Sequence, residues 1–215
     1  MKLYVYDHCP FCVKARMIFG IKKQSVQVHY LLNDDEQTPI SMIGQKMTPI
    51  LEKEDGTFMP ESMDIVHYID QLYPPITLIG ATNPQIAQWL EKNGQIINQL
   101  RIPRFVKVPL PEFETEASRL YFTEKKEKTM GSFDALIQQT AVLLAQMNQE
   151  LLVLNEMIQT EHACNGVLSE DDIHLFAALR GLSIVKGVAY PAKVEAYRQA
   201  MAKDSNVPLH DHIAI

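Results

Sequence analysis

An α/β domain followed by an all-helical domain is the architecture this 215-residue sequence predicts. Three observations carry that expectation. Within residues 1–73 the hydrophobic pattern switches repeatedly between strand-like and helical spacing, whereas beyond residue 84 it stays helical to the end. Between the two, Pro74-Pro75 stops a helix and nothing periodic occurs until Asn83-Pro84, so residues 74–83 read as a linker between domains at 1–73 and 84–215.

The first domain is justified element by element. Residues 3–6 form a short buried strand, and the helix after Pro10 repeats Val13, Met17 and Ile21 at four-residue spacing. A second strand, 26–32, places Val26, Val28 and Tyr30 on one face. Thr38 and Pro39 have N-cap and first-turn chemistry for a short helix, and Gly44 suits its C-terminal end. Segments 49–53 and 57–59 flank Asp55-Gly56, a two-residue turn that favours an antiparallel hairpin. The last helix opens near Pro60 and buries Ile65, Ile69 and Leu72. The order βαβαββα requires parallel pairing through right-handed crossovers for the early strands and an antiparallel pair at the end, which is the thioredoxin-like topology.

In the second domain Ile86, Leu90, Asn93, Ile97 and Leu100 hold one helix face until Pro103. The charged segment 112–128 reads as a solvent-washed helix. Leu136, Thr140, Leu143, Met147, Leu151, Leu154 and Ile158 then trace a continuous stripe at three- and four-residue steps. Segment 169–184 is apolar on most sides and therefore central, and a final helix spans 192–201. Ser169 and Asp172, flanked by Leu168 and Ile173, form a capping box with a hydrophobic staple, a folding signal.

Composition narrows the function. Hydrophobic residues make up 47% and charged residues 21%, enough to build a core. The net charge of -6 lacks the clustered cations that phosphate tracking needs, which argues against nucleic acid. Asp7 and His8 interrupt the first apolar run too early for a secretory signal, and no run approaches the ~20 residues of a membrane helix, so a cytoplasmic protein is expected. Three cysteines, Cys9, Cys12 and Cys164, are too few for a disulfide scaffold and fit reduced thiols with a task.

Cys9-Pro10-Phe11-Cys12 falls where the first strand gives way to the first helix. Free amides at a helix start stabilise an anion, so Cys9 would carry a depressed thiol pKa and act as nucleophile. Cys12, one turn along, could attack a mixed disulfide on Cys9, and Pro10 sets the helix start without losing a hydrogen bond. The competing readings are half a zinc site or two core thiols. A structural zinc site takes four ligands, and neither Cys164 with His162 nor the terminal His210 and His212 completes one, so no metal is expected. Met47-Thr48-Pro49 precedes the third strand. Pro49 could merely begin that strand, or hold a cis bond that turns the Thr48 backbone toward a peptide-like substrate. Its place about 40 residues after Cys9 favours the second reading. His8 is expected to be a solvated imidazole, Trp89 a core residue and Cys164 an incidental thiol in a turn.

Together Cys9-Pro10-Phe11-Cys12, Thr48-Pro49 and Pro60-Glu61-Ser62-Met63-Asp64 resemble a glutaredoxin joined to a glutathione-transferase-type helical domain, and over essentially the whole chain the sequence is similar to the bacterial glutaredoxin 2 family. Phe11 stands where the usual tetrad has Tyr, and Tyr6 where many small glutaredoxins have a basic residue. The resemblance implies a glutathione-dependent disulfide oxidoreductase. Cys9 and Cys12 would be catalytic, with Thr48, Pro49, Glu61 and Ser62 binding glutathione. The implied partners are glutathione, disulfide-bonded or glutathionylated proteins and, indirectly, the glutathione reductase system. A monomer is expected, since no transferase-type dimer anchor can be identified. A glutathione transferase is the alternative enzyme, for which Cys12 would be superfluous. A non-catalytic interaction protein on a transferase scaffold is the alternative from another class, and the intact dithiol disfavours it.

Overall fold

The computed structural model describes residues 1–215. Strand β1 (Lys2–Val5) leads into helix α1 (Pro10–Ile21), followed by β2 (Gln27–Tyr30), α2 (Gln37–Ile43), β3 (Ile50–Glu52), β4 (Phe58–Met59) and α3 (Ser62–Leu72). The sheet order is β2-β1-β3-β4. β1 pairs parallel with β2 through Leu3 opposite Val28, and antiparallel with β3 through Leu3 opposite Leu51. The thioredoxin-like order βαβαββα is therefore present. Leu3, Val5, Ile50 and Leu51 are buried, and α1 and α3 pack against each other.

Three local expectations shift. Helix α2 begins at Gln37, not after Thr38, because the Asp35 carboxylate accepts from the Thr38 N–H at 2.9 Å and captures the turn earlier. Pro39 is tolerated within that first turn, where its missing N–H has no partner to lose. Gly44 ends the helix at φ 78° as expected. Leu72 is exposed instead of buried, and Tyr30 is more exposed than Val26 and Val28, with which it is expected to share a face, since each stands at the end of its element beyond the packed face.

The linker is tied down. Asp70, buried at the end of α3, accepts from the Thr77 N–H at 2.9 Å and the Leu78 N–H at 3.1 Å, and pairs with Lys22 at 2.8 Å. Asn83 donates through its N–H to Asp171 at 2.6 Å and caps α4 (Pro84–Phe105) through its side chain. Helix α4 runs through Pro103 instead of ending there, and its Trp89 is a core residue whose indole donates to the Glu150 carbonyl at 2.9 Å.

The segment read as one solvent-washed helix over 112–128 is divided. A 3-10 turn, Pro111–Phe113, holds Glu112 and Phe113 fully buried, and α5 (Glu116–Met130) starts afresh where Thr115 accepts from the Ser118 N–H at 3.1 Å. The long stripe is likewise two helices, α6 (Phe133–Gln138) and α7 (Thr140–Met157), joined at Gln139, and Leu136, Leu143, Met147, Leu151, Leu154 and Ile158 stay buried across the join.

Helix α8 (Glu170–Leu182) is central, packed on α1 and α4, and α9 (Ala192–Asp204) covers it. Its capping box forms, with Asp172 accepting from the Ser169 N–H at 2.9 Å. One apolar cluster runs from Leu3 and Met17 of the first domain through Leu100 and Phe176 of the second. Gly20 allows that closeness: a Cβ there would sit 1.7 Å from the Ser205 carbonyl oxygen behind α9. No helix is long and apolar enough to cross a membrane.

Candidate active site

Cys9 is the N-cap of α1, in extended conformation, and Pro10 occupies the first helical turn. Its carbonyl begins the helix by accepting from the Val13 N–H at 3.0 Å. The Cys9 side chain is partly exposed, while Cys12 is fully buried and its sulfur accepts from the Tyr6 N–H at 3.4 Å. This asymmetry divides the dithiol chemically. A hydrogen bond from Cys12 is the largest influence on Cys9, and with the charge of His8 and the amides of Cys12 and Phe11 it outweighs burial and lowers the thiol to about 6. Burial, and then the neighbouring Cys9, push Cys12 well up. Near neutral pH the Cys9 sulfur is the thiolate and the fully buried Cys12 the thiol.

His8 is not solvated as the sequence suggested. Its ring lies among Tyr6, Phe105, Phe113 and Phe122 at centroid distances of 5.0 to 5.8 Å. Its Nδ1 is 2.5 Å from Glu112 Oε1, and its backbone N–H donates to the same oxygen at 2.8 Å. Burial works to raise the Glu112 carboxyl, but the hydrogen bond and charge of His8 prevail and hold it low. The helical domain thus supplies the counter-ion of the residue next to Cys9. The aromatic wall, from elements distant in sequence, removes the water that a lone His beside a Cys would otherwise meet.

A second inter-domain pair fixes the same loop. Arg180 of α8 donates to both Asp7 carboxylate oxygens at 3.0 and 2.9 Å and to the Asp7 backbone carbonyl at 2.6 Å, while Arg16 reaches the carboxylate at 2.6 Å. Burial alone would raise the Asp7 carboxyl; Arg180, then Arg16, drive it far below the ordinary range instead. Burial and the Arg180 charge push nearby His210 down to about 3, so it is neutral. A lone arginine in the apolar segment 169–184 was the signal for this pair, because a buried guanidinium requires a partner.

A cleft of about 410 Å³ opens over Cys9. Its lining includes Pro10, Phe11, Thr48 and Tyr6 from the first domain, and Asn98, Arg101, Phe105 and Lys125 from the second. The Thr48-Pro49 bond is cis. Pro49, Glu61 and Ser62 are not among the lining residues; Ser62 is buried in the first turn of α3, and Glu61 caps that helix at φ 68°. The Tyr6 hydroxyl and Arg101 Nη1 are buried without hydrogen-bond partners. No group of three or more His, Cys, Asp or Glu side chains is arranged to hold a metal ion.

Comparison with known proteins agrees with this geometry. Residues 85–214 match the family model described as "Glutaredoxin 2, C terminal domain", and residues 3–78 that of "Glutathione S-transferase, N-terminal domain". Glutaredoxin 2 of Escherichia coli strain K12 is 48% identical over 215 residues, all of both chains. The chain belongs to the glutaredoxin 2 family. As a member of it the protein is an oxidoreductase of the glutaredoxin type. The crystal structure of glutaredoxin 2 from Salmonella typhimurium in complex with glutathione is 52% identical, with a TM-score of 0.98 over 100% of this chain and 98% of that one. A glutathione S-transferase from Rhodospirillum rubrum F11, at 16% identity and a TM-score of 0.62 over 94% of this chain and 86% of the other, shares the two-domain fold.

Proposed function

We propose that this glutaredoxin reduces glutathionyl mixed disulfides and protein disulfides through Cys9 and Cys12, with glutathione as co-substrate. The asymmetry of the dithiol carries the reading: the acidified sulfur of the partly exposed Cys9 attacks and the buried one waits as a thiol. The Cys9 thiolate displaces the leaving thiolate from a glutathionyl disulfide, which takes up a proton, and Cys9 becomes bonded to glutathionyl sulfur. A second glutathione thiolate attacks that sulfur, releasing glutathione disulfide and restoring the Cys9 thiolate. With a protein disulfide, Cys12 loses its proton and attacks the Cys9 sulfur, freeing the reduced protein; two glutathiones then reopen the Cys9–Cys12 bond. Glutathione disulfide passes to the glutathione reductase system.

In this reading the Thr48 backbone pairs the cysteinyl part of glutathione, beside Pro49. Glu61 and Ser62, at the start of α3, hold its γ-glutamyl end, where helix amides and a carboxylate suit an α-amino-acid head group. Pro10 and Phe11 shape the mouth of the site. The functional division is 1–73, 74–83 and 84–215, in a cytoplasmic monomer. The glutathione complex of the Salmonella relative supports glutathione as the ligand.

The test is a pair of variants assayed with a glutathionyl mixed disulfide, coupled to glutathione reductase. Cys9→Ser should abolish turnover. Cys12→Ser should retain it but lose reduction of protein disulfides, since glutathione can resolve the first intermediate unaided. Equal loss in both would overturn the assigned roles.

A further inference from the structure

The cleft over Cys9 carries a charge its chemistry has not yet used. The whole chain has a net charge of -6, yet the cleft is lined by Lys46, Arg101, Lys125 and Lys126 and by no carboxylate. Lys46 is occupied, donating to the Asn33 carbonyl at 2.6 Å with Glu36 at 3.8 Å. Arg101 is different. It is 9% exposed, its Nε and Nη2 donate to the neutral Asn98 side chain at 3.1 and 2.8 Å, and Nη1 has no partner. No carboxylate is among the charges that act on it. Space is cleared for it by Gly181, where a Cβ would fall 2.3 Å from Nη1. Burying a guanidinium without a counter-charge is costly unless an anion arrives to pair it. Burial lowers Arg101 only to about 10, so it remains charged at neutral pH, and the compensating charge it feels is Cys9.

We propose that Arg101, assisted by Lys125 and Lys126, forms an anion subsite on the helical wall of the cleft, which receives a carboxylate on the leaving half of the disulfide under attack by Cys9. This rests on the proposed thiol-disulfide function and adds a substrate preference. With the glutathionyl half held on the thioredoxin-like wall, the departing thiol faces α4 and α5, which bring Arg101, Lys125 and Lys126 to the cleft. Lys125 is shared with Glu36 at 4.0 Å and the Tyr121 hydroxyl at 2.7 Å, so Arg101 is the cation with an unpartnered nitrogen. The carboxylate can belong to a glutathione or to an acidic residue beside a protein cysteine.

Mixed disulfides of glutathione with 3-mercaptopropionate and with cysteamine differ in the charge of the leaving half. In the wild type the ratio of kcat/KM, anionic over cationic, should be large, and Arg101→Gln should lower it by roughly tenfold, the worth of one charge-assisted hydrogen bond. Arg101→Lys should recover most of it. Lys126→Gln, on a less buried residue, should lower it by about threefold and serves if Arg101→Gln does not fold. Comparing glutathione disulfide with a glutathionylated peptide bearing Glu next to its cysteine assigns the carrier: whichever loses more in Arg101→Gln is the carboxylate the site was built for. An independent reading needs no turnover: alkylation of Cys9 by iodoacetate relative to iodoacetamide should fall in Arg101→Gln. A wild type that reduces no glutathionyl disulfide would sink the proposed function, while the alkylation ratio would still report the subsite. Unchanged ratios in every variant, or equal slowing of both disulfides with a rise in the pH of Cys9 alkylation, would overturn the subsite and make Arg101 a tuner of the thiolate.

Discussion

Cys9 and Cys164 each lie close to the start of a core helix, α1 and α8, with an ionisable side chain at hand, yet their thiols move in opposite directions. At Cys9 the bond from Cys12, His8 and the first amides of α1 favour the thiolate. At Cys164 the thiol is fully enclosed, and burial followed by the Asp172 carboxylate pushes it far above its ordinary range. Proximity to a helix start is therefore not what makes a thiolate. At α8 the Ser169–Asp172 capping box occupies the helix start, and the Asp172 carboxylate, which accepts from the N–H groups of Ser169 at 2.9 Å and Cys164 at 2.7 Å and from the Tyr197 hydroxyl at 2.9 Å, brings a negative charge to Cys164. The amides of α1 have no acidic side chain in the first turn and no side-chain cap, so they remain available to the sulfur.

The largest effect expected from breaking this contrast is on stability. Asp172→Ala removes the acceptor for four buried donors at once, the N–H groups of Ser169 and Cys164 and the hydroxyls of Ser169 and Tyr197, and hydrogen bonds to a charged group contribute about 1.5–3 kcal/mol each without adding fully. A loss of about 3 kcal/mol or more in chemical denaturation is expected, of a domain total of about 5–15 kcal/mol. Ser169→Ala, which leaves the carboxylate in place, should cost about 1 kcal/mol. Equal small losses in the two would reduce Asp172 to an ordinary cap.

Next in size is the acidity of Cys9. His8→Gln keeps a donor for Glu112 but carries no charge, so the pH at half-maximal alkylation of Cys9 should rise from about 6 by about 1. A thiol whose folded value is lowered from 9.0 contributes stability that is complete above pH 9 and disappears as pH falls through about 6. The advantage of the reduced wild type over Cys9→Ser should shrink across that window, and shrink less in His8→Gln. An unmoved alkylation midpoint would leave Cys12 and the helix amides as sufficient causes.

What was legible in the sequence tracks the range of the interactions. The βαβαββα order, the dithiol at a strand-helix junction and the capping box are set by residues within a few positions of one another, and all three stand in the structure. Glu112, Arg101 and Arg180 escaped because their roles depend on partners or clefts from distant parts of the chain: Glu112 meets His8 across 104 residues and Arg180 meets Asp7 across 173. A charged segment such as 112–128 carries no periodic mark telling a buried carboxylate from solvated ones. His8 was misread for the same reason, since its aromatic walls come from three separate elements.

The smallest expected effect sharpens the comparison from the other side. Cys164 packs in the main core with no exposed surface, and its backbone N–H donates to Asp172 at 2.7 Å. Cys164→Ala therefore keeps the backbone hydrogen bond and loses one sulfur, with its weak bond to Asp172, from a packed site, a cost of about 1 kcal/mol that is close to deleting a single buried group. Since α8 meets the active-site loop at Arg180 and the cleft residue Arg101 at Gly181, both about two turns beyond that packing, turnover of glutathionyl disulfides should match the wild type. In the native state alkylation should mark Cys9 and spare Cys164, which should react only at the rate of unfolding, because a fully enclosed thiol held in its protonated form is neither nucleophilic nor reachable. A Cys164 that reacts in the folded protein, or that is found bonded to Cys9 after oxidation, would break the contrast on which the assignment of the thiols depends.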